Sequence, residues 1–350
     1  MKLFIMLIFY FMLMMSTLIA MSSNSWMIIW MMLEINLMSF IPVLMMNMNS
    51  KTNFLFKYFI IQTISSSSFL MSITLMWINY NNFDINLNMI NMNFLNFLIS
   101  ISMILKMGLV PFHLWYIEIM MNLSWMNIFL MSTWQKIMPL MIISYFNMNM
   151  IIYMTVITSS LISSIQGMYQ MNLRKIFTFS SINQTSWLTI NSCMSLYLMI
   201  IYMMMYMMIS FNIIYMFNLN NFSYISDMYL MNNYSYLTKF LLFTNILSLA
   251  GLPPFLGFLM KLISIKFLIM NKLFLMSLTL IISSLMTLFF YLRLTYSSMI
   301  LSNSKNKLKL VNFLMKNSYK KNYSMLNNIM FTLTSINFLI MITLIILILN

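Results

Sequence analysis

Charge is scarce in this sequence. Asp, Glu, Lys and Arg make up 6% of its 350 residues, where a soluble globular domain carries roughly 25%. A chain so poor in charge cannot cover a water-facing surface, and the solvent it suits is lipid. Cys193 is the single cysteine, which excludes a disulfide framework and a thiolate metal site. One histidine, His113, and four acids, Glu34, Asp84, Glu118 and Asp227, are too few for a conventional metal or haem centre. Small residues are few as well: alanine occurs only at Ala20 and Ala250, beside 4 glycines. Membrane helices ordinarily use small residues to approach one another closely, so packing does not explain the scarcity.

What abounds is apolar. Hydrophobic residues make up 62% of the chain, 49 of them Met. The abundant types (Met, Ile, Phe, Leu, Asn, Tyr, Lys) have A/T-rich codons, and the scarce ones have G/C-rich codons. Met becomes common where ATA encodes it, as in many mitochondrial codes, so the usage points to an AT-rich mitochondrial genome. The Met and aromatic stripes are lipid-facing or packing surface rather than a cofactor site. The net charge of +14 would suggest nucleic acid in a soluble protein. Here the positive residues sit mostly between apolar runs, so they report topology and anionic lipid headgroups, and no nucleic-acid partner is expected.

At about 20 apolar residues per span, the expected fold class is an all-α polytopic membrane protein of about eleven transmembrane helices. The first five spans are read at Leu3–Ala20, Trp26–Met46, Lys57–Trp77, Phe94–Glu118 and Leu123–Phe146. The others are Met150–Gly167, Leu173–Ile190, Met194–Phe217, Leu237–Met270, Leu273–Tyr296 and Leu326–Leu349. The run Leu3–Ala20 behind Lys2 has the look of a signal peptide but is followed by many equivalent spans, and is read as a retained helix. Residues 1–350 are read as a single membrane domain. It comprises a first half over 26–167, a second half over 173–296, a basic connection over 297–325 and a C-terminal helix over 326–349. With this count, the face holding the N-terminus receives Lys2, Lys51, Lys57, Arg174, Lys175, Lys239, Arg293 and the cluster Lys305, Lys307, Lys309, Lys316, Lys320 and Lys321. The other face receives Lys266 and Lys272. The positive-inside rule then assigns the N-terminus to the matrix side and the C-terminus to the intermembrane space.

Four charges fall deep inside spans: Lys106, Lys136, Lys261 and Glu34. A charge at mid-bilayer costs from about 2.5 to well over 10 kcal/mol. Near two of the lysines a motif repeats, Gly108-Leu109-Val110-Pro111-Phe112 and Gly251-Leu252-Pro253-Pro254-Phe255. Proline removes a backbone donor and clashes with the preceding turn, so broken helices are expected near 106–112 and 251–257. Irregular backbone at membrane depth is tolerated where protein or a hydrated cavity covers it. The expected topology runs the two broken spans in opposite directions, an inverted repeat of the kind that holds ion sites in secondary transporters.

Desolvation favours a neutral lysine, and a carboxylate a few Å away favours the charged one. A lysine beside Glu34 is thus held charged and released when the acid moves or is protonated, and a further lysine extends the switch. The bland alternative is that each lysine only pairs with a carboxylate or carbonyl to fix packing. His113 is either a proton relay or a packing histidine. Glu118 is expected to be solvated, Asp84 and Asp227 to lie in polar connections, and Cys193 to fill the core.

Leu33–Pro42 (LEINLMSFIP) resembles the second-helix signature of the NADH dehydrogenase subunit 2 family, and Lys106–Trp115 (KMGLVPFHLW) resembles its broken-helix motif. Leu123–Leu140 (LSWMNIFLMSTWQKIMPL), Asn172–Leu188 (NLRKIFTFSSINQTSWL) and Leu247–Lys261 (LSLAGLPPFLGFLMK) are similar to later motifs, so the resemblance covers essentially the whole chain. It implies an antiporter-like fold of two inverted five-helix units with two discontinuous helices. It further implies a proton-translocating subunit of respiratory complex I in the mitochondrial inner membrane. Mitochondrial members often lack three N-terminal helices of the bacterial form, consistent with eleven spans. Glu34 and Lys106 would be the coupling pair, Lys136 the connecting lysine and Lys261 the terminal one. Gln184 departs from the family, many of whose members carry histidine there. Glutamine does not take up a proton at physiological pH, so waters held by Ser180, Ser181 and Gln184 are expected to conduct instead. The implied partners are other complex I subunits and the bilayer, with no small-molecule substrate bound directly. Flavin, iron–sulfur clusters and ubiquinone are expected elsewhere in the complex. The rival expectations are a freestanding Na+/H+ antiporter of related fold and a structural scaffold with no proton path.

Overall fold

The structure is a computed structural model that describes residues 2–46, 53–80, 93–146, 150–228, 236–253 and 255–300. Among them lie thirteen helices and no strand. The first seven are α1 (Lys2–Ser22), α2 (Trp26–Met46), α3 (Asn53–Tyr80), α4 (Asn93–Met107), α5 (Leu114–Asn122), α6 (Trp125–Ser132) and α7 (Trp134–Ser144). The others are α8 (Met150–Met168), α9 (Leu173–Met194), α10 (Leu196–Asn220), α11 (Tyr236–Ala250), α12 (Leu256–Met270) and α13 (Phe274–Ile300). Six of these, α1, α2, α3, α8, α10 and α13, are long and apolar enough to cross a membrane, and the chain is a multi-pass membrane protein.

Three expected spans are split. Phe94–Glu118 becomes α4 and α5, Leu237–Met270 becomes α11 and α12, and Leu123–Phe146 becomes α6 and α7. The last split was not expected. It falls at Thr133, whose hydroxyl and N–H both donate to the Phe129 carbonyl, at 2.6 and 3.0 Å. Such back-bonding bends a helix without glycine or proline. α13 runs to Ile300, so the expected 297–325 connection begins as helix. Its remainder, the expected C-terminal helix over 326–349, Lys51, Asp84 and Pro254 lie outside the described residues.

Serine supplies the small side chains that alanine and glycine do not. Buried Ser65 and Ser72 on α3, Ser159 and Ser163 on α8, and Ser181 and Ser186 on α9 each donate to the carbonyl three residues back. A hydroxyl satisfied by its own helix needs no partner from lipid, and its small volume lets neighbours close in. α9 is too polar for a lipid-facing span, and residues 176–192 are buried all round.

The chain forms two compact units. One comprises the described residues within Met1–Ser163 and Thr178–Ile201, the other those within Ser164–Phe177 and Tyr202–Asn350. In the first unit α2 packs on α1 and α3, α3 on α4 and α5, and α7 on α1, α4 and α6. Trp26 anchors this core, stacked on Phe146 and edge-on to Phe69 and Tyr145.

In the second unit α11, α12 and α13 pack together. Arg293 lies inside α13 rather than in a connection. Its guanidinium donates to the carbonyls of Met168 and Gln170 at 2.8 and 2.6 Å. These carbonyls lie where α8 ends and helical donors run out, and a cation there also meets the negative end of the helix dipole. Asp227 is likewise more than a loop carboxylate. It accepts from the N–H groups of Ser223 and Tyr224 and from the Ser223 hydroxyl. Partial burial pushes its carboxyl up, and those hydrogen bonds outweigh the burial and hold it below the usual range. The loop so fixed pairs with 171–173 through Leu173 N–H to Ser223 O and Ile225 N–H to Met171 O.

Candidate functional site: two interrupted helices and their lysines

Both repeats of Gly-Leu-x-Pro-Phe end a helix in the same way. At the first, Gly108 N–H donates to Leu105 O and Leu109 N–H to Ile104 O, each at 3.2 Å. At the second, Gly251 N–H donates to Ser248 O at 3.1 Å and Leu252 N–H to Leu247 O at 3.2 Å. This pair of bonds is the Schellman motif. It needs a left-handed residue, supplied by Gly108 at φ 68° and Gly251 at φ 85°. The glycines therefore stop the helices, and the expected role of proline is corrected. Pro42 and Pro139 sit inside intact α2 and α7, while Pro111 and Pro253 follow helices that have already ended.

A Schellman end still leaves the last carbonyls without helical donors, and here side chains supply them. Gln62 of α3 donates to Lys106 O at 3.4 Å. At the second break Lys261, 5% exposed on α12, donates its ammonium to Ala250 O at 2.9 Å. A Cβ built on Gly251 would come 2.7 Å from that nitrogen. Gly251→Ala is accordingly expected to push the ammonium off Ala250 and to cost about 1–2 kcal/mol in backbone strain. A high-resolution map of the variant checks this, and an unmoved Lys261 would contradict it.

In the first unit, Lys106 lies half-buried in the last turn of α4, and Lys136 lies in the first turn of α7 at 2% exposure. Both line a cavity of about 20 Å³, room for about one water at ~10–15 Å³ each. Asn36, Tyr58, Gln62, Trp115, Tyr116 and Gln135 also face it. Asn36 ties α2 to α7 by accepting from Gln135 Nε2 at 2.9 Å and donating to Met138 Sδ at 3.6 Å. Half-buried Glu34 lies in Coulombic reach of Lys106. The two are not in contact, because the one ion pair within 4.0 Å among the described residues is Lys57–Glu118. That pair, at 2.6 Å and more than half exposed on each side, is worth about 0–1 kcal/mol.

The ammonium of Lys136 has no hydrogen-bond partner and lies 4.5 Å from the centre of the Tyr116 ring. A cation on an aromatic face gains about 0.5–1 kcal/mol when exposed and about 2 when desolvated. Tyr116 Oη lies 2.9 Å from Ser181 Oγ, which brings one of the expected α9 hydroxyls to this site. Ser180 and Gln184 are buried on α9. Buried His113 closes the first break with Nδ1 3.4 Å from Pro111 O and Nε2 unpartnered. Sequence reasoning did not single out Tyr116, Gln62, Asn36 or Gln135. Polar side chains on apolar helices were the available signal.

Helices stopped at left-handed glycines, each with a buried or half-buried lysine beside the stop, fit an antiporter-like membrane protein. Residues 23–290 match the family described as NADH:quinone oxidoreductase/Mrp antiporter, TM. The chain is 41% identical to NADH-ubiquinone oxidoreductase chain 2 of Anopheles gambiae over 344 residues, 97% of each chain. It is 42% identical to that of Aedes aegypti over 322 residues, 90% of each. In fold it is similar to a chain of the Thermus thermophilus respiratory complex I, with TM-score 0.78 at 14% identity over 84% of this chain and 70% of that one. A chain of the Mrp complex of Dietzia sp. gives 0.70 at 14% identity, over 81% and 58%. The chain belongs to the NADH-ubiquinone oxidoreductase chain 2 family.

Proposed function

We propose that this chain translocates protons as a core membrane subunit of mitochondrial complex I, coupled to electron transfer from NADH to ubiquinone. Glu34, Lys106 and Lys136 serve in the first unit and Lys261 in the second, with His113, Ser180, Ser181 and Gln184 as candidate relay groups. The observation that carries the reading is the shared design of the two breaks. Each stops a helix at a left-handed glycine, and each has a lysine beside the stop: half-buried Lys106 two residues before Gly108, and buried Lys261 folded back against Gly251 from α12. Capping Ala250 O accounts for a donor at Lys261, but a neutral donor would do that without the cost of burying a charge in the membrane. Glu34 acts on Lys106 from beyond contact distance, so the coupling between them would be set by how near the carboxylate comes. The inner mitochondrial membrane is the expected location, with the N-terminus in the matrix. The redox groups lie elsewhere in the complex, whose other subunits are this chain's partners.

Lys106→Met tests the proposal, because methionine keeps most of the length of the side chain and removes its proton. In complex I assembled in its own membrane, protons moved per electron should fall by at least half while electron transfer continues. An unchanged ratio with normal assembly would leave the chain a scaffold.

A further inference from the structure

The ammonium of Lys136 is buried without a hydrogen-bond partner, and none of the described acids supplies one. Glu34 acts on Lys106 from beyond contact distance. Glu118 is exposed and committed to Lys57. Asp227 is committed to Ser223 and Tyr224, and Asp84 lies outside the described residues. What Lys136 faces is the ring of Tyr116, at 4.5 Å, within the ~6 Å over which the negative face of an aromatic ring attracts a cation.

Three independent features hold that ring in position. A Cβ on Gly108 would come 2.7 Å from Tyr116 Cβ, so the bare glycine of the first break makes room for it. Trp115 packs edge-on to the ring, with centroids 5.8 Å apart. The hydroxyl is fixed at its far end. Ser181 Oγ donates to Thr178 O at 2.8 Å, so in the 2.9 Å contact between them Tyr116 is the donor and Ser181 the acceptor. That line ends on a backbone carbonyl, which has no proton to pass on. In this contact Ser181 is a brace, and its candidate relay role rests on water it would hold rather than on the line to Tyr116.

We propose that Tyr116 is a positioning residue for Lys136: its ring face holds the ammonium in place of a carboxylate, and its hydroxyl, anchored through Ser181 to the backbone of α9, keeps the face turned towards the lysine. The inference rests on the reading that Lys136 carries protons. A neutral ring suits that task. It holds the cation without offering an acceptor that could capture the proton, whereas a carboxylate would hold the charge more tightly.

The test compares Tyr116→Phe, Tyr116→Met and Lys136→Met in assembled complex I, reading protons per electron and electron-transfer rate separately. Phenylalanine keeps the π face, while methionine has comparable reach and no ring. Tyr116→Phe should retain more than half of the coupling ratio. Tyr116→Met should lose at least threefold, approaching Lys136→Met, with electron transfer and assembly retained. Normal coupling in Tyr116→Met beside lost coupling in Lys136→Met overturns the role of Tyr116 alone. Loss in Tyr116→Phe equal to that in Tyr116→Met also overturns it, since the face would not be what matters. Normal coupling in Lys136→Met overturns both the positioning role and the reading beneath it. If Tyr116→Met fails to assemble, Tyr116→Leu decides the same question.

Discussion

Lys261→Met is expected to reduce protons translocated per electron more than tenfold, with the complex still assembled and still oxidising NADH. Lys261 is almost wholly buried, and its ammonium supplies the hydrogen bond that Ala250 O lacks at the end of α11. A thioether donates nothing, so the carbonyl is left unpaired in a buried site at a cost of about 1–3 kcal/mol. That loss affects stability but does not explain lost pumping. Lys261→Arg separates the two. Arginine keeps the charge and the donors yet does not release its proton in a protein. A proton carrier fails in both variants, whereas a mere cap for α11 is rescued by arginine. Simultaneous measurement of proton uptake and NADH oxidation in sealed vesicles reads the difference, and normal pumping by the arginine variant would remove Lys261 from the proton path.

The second large effect falls on accumulation of the chain. Gly257 opens the first turns of α12, and a Cβ there would run into the backbone carbonyl of Ser248 on α11. Lys261 beside Gly251 is the flexible end of a side chain and can swing away. A carbonyl held in the last turn of a helix, already accepting from Gly251, cannot. Overpacking typically costs about 1–3 kcal/mol when side chains relax, and here the helices themselves must separate. Gly257→Ala should therefore lower the amount of chain in the membrane severalfold, measured against another subunit of the same complex. Wild-type levels and thermal stability would contradict the close approach of α12 to Ser248.

The positions of most helices follow from apolar runs alone, and α2 coincides with its expected span Trp26–Met46. The class of structure was equally legible, since a chain with 6% charge has no other stable home. The breaks at 108 and 251 were visible as a repeat, but their cause was misassigned to proline. A proline costs one hydrogen bond, which a packed helix tolerates at Pro42 and Pro139. Stopping a helix takes a residue that reverses φ. The interruption at Thr133 had no such signal, because threonine bends a helix only when its hydroxyl turns inward. Among the candidate site residues, the lysines announce themselves by the cost of burying charge. Tyr116 does not, since a tyrosine on a membrane helix is ordinary until its ring is seen under an ammonium. That Glu34 and Lys106 stand beyond contact distance was likewise beyond sequence, since they lie on different helices and spacing along neither sets it.

Residues 251 and 261 share one volume, since a hydrogen at the first leaves the space that the nitrogen at the second fills. They should therefore be inherited as a couple. A lineage that gives up the lysine no longer needs the bare position facing it, and other left-handed residues such as asparagine become admissible there. Reading position 251 across related genomes thus serves as an inexpensive gauge of whether the second unit still works.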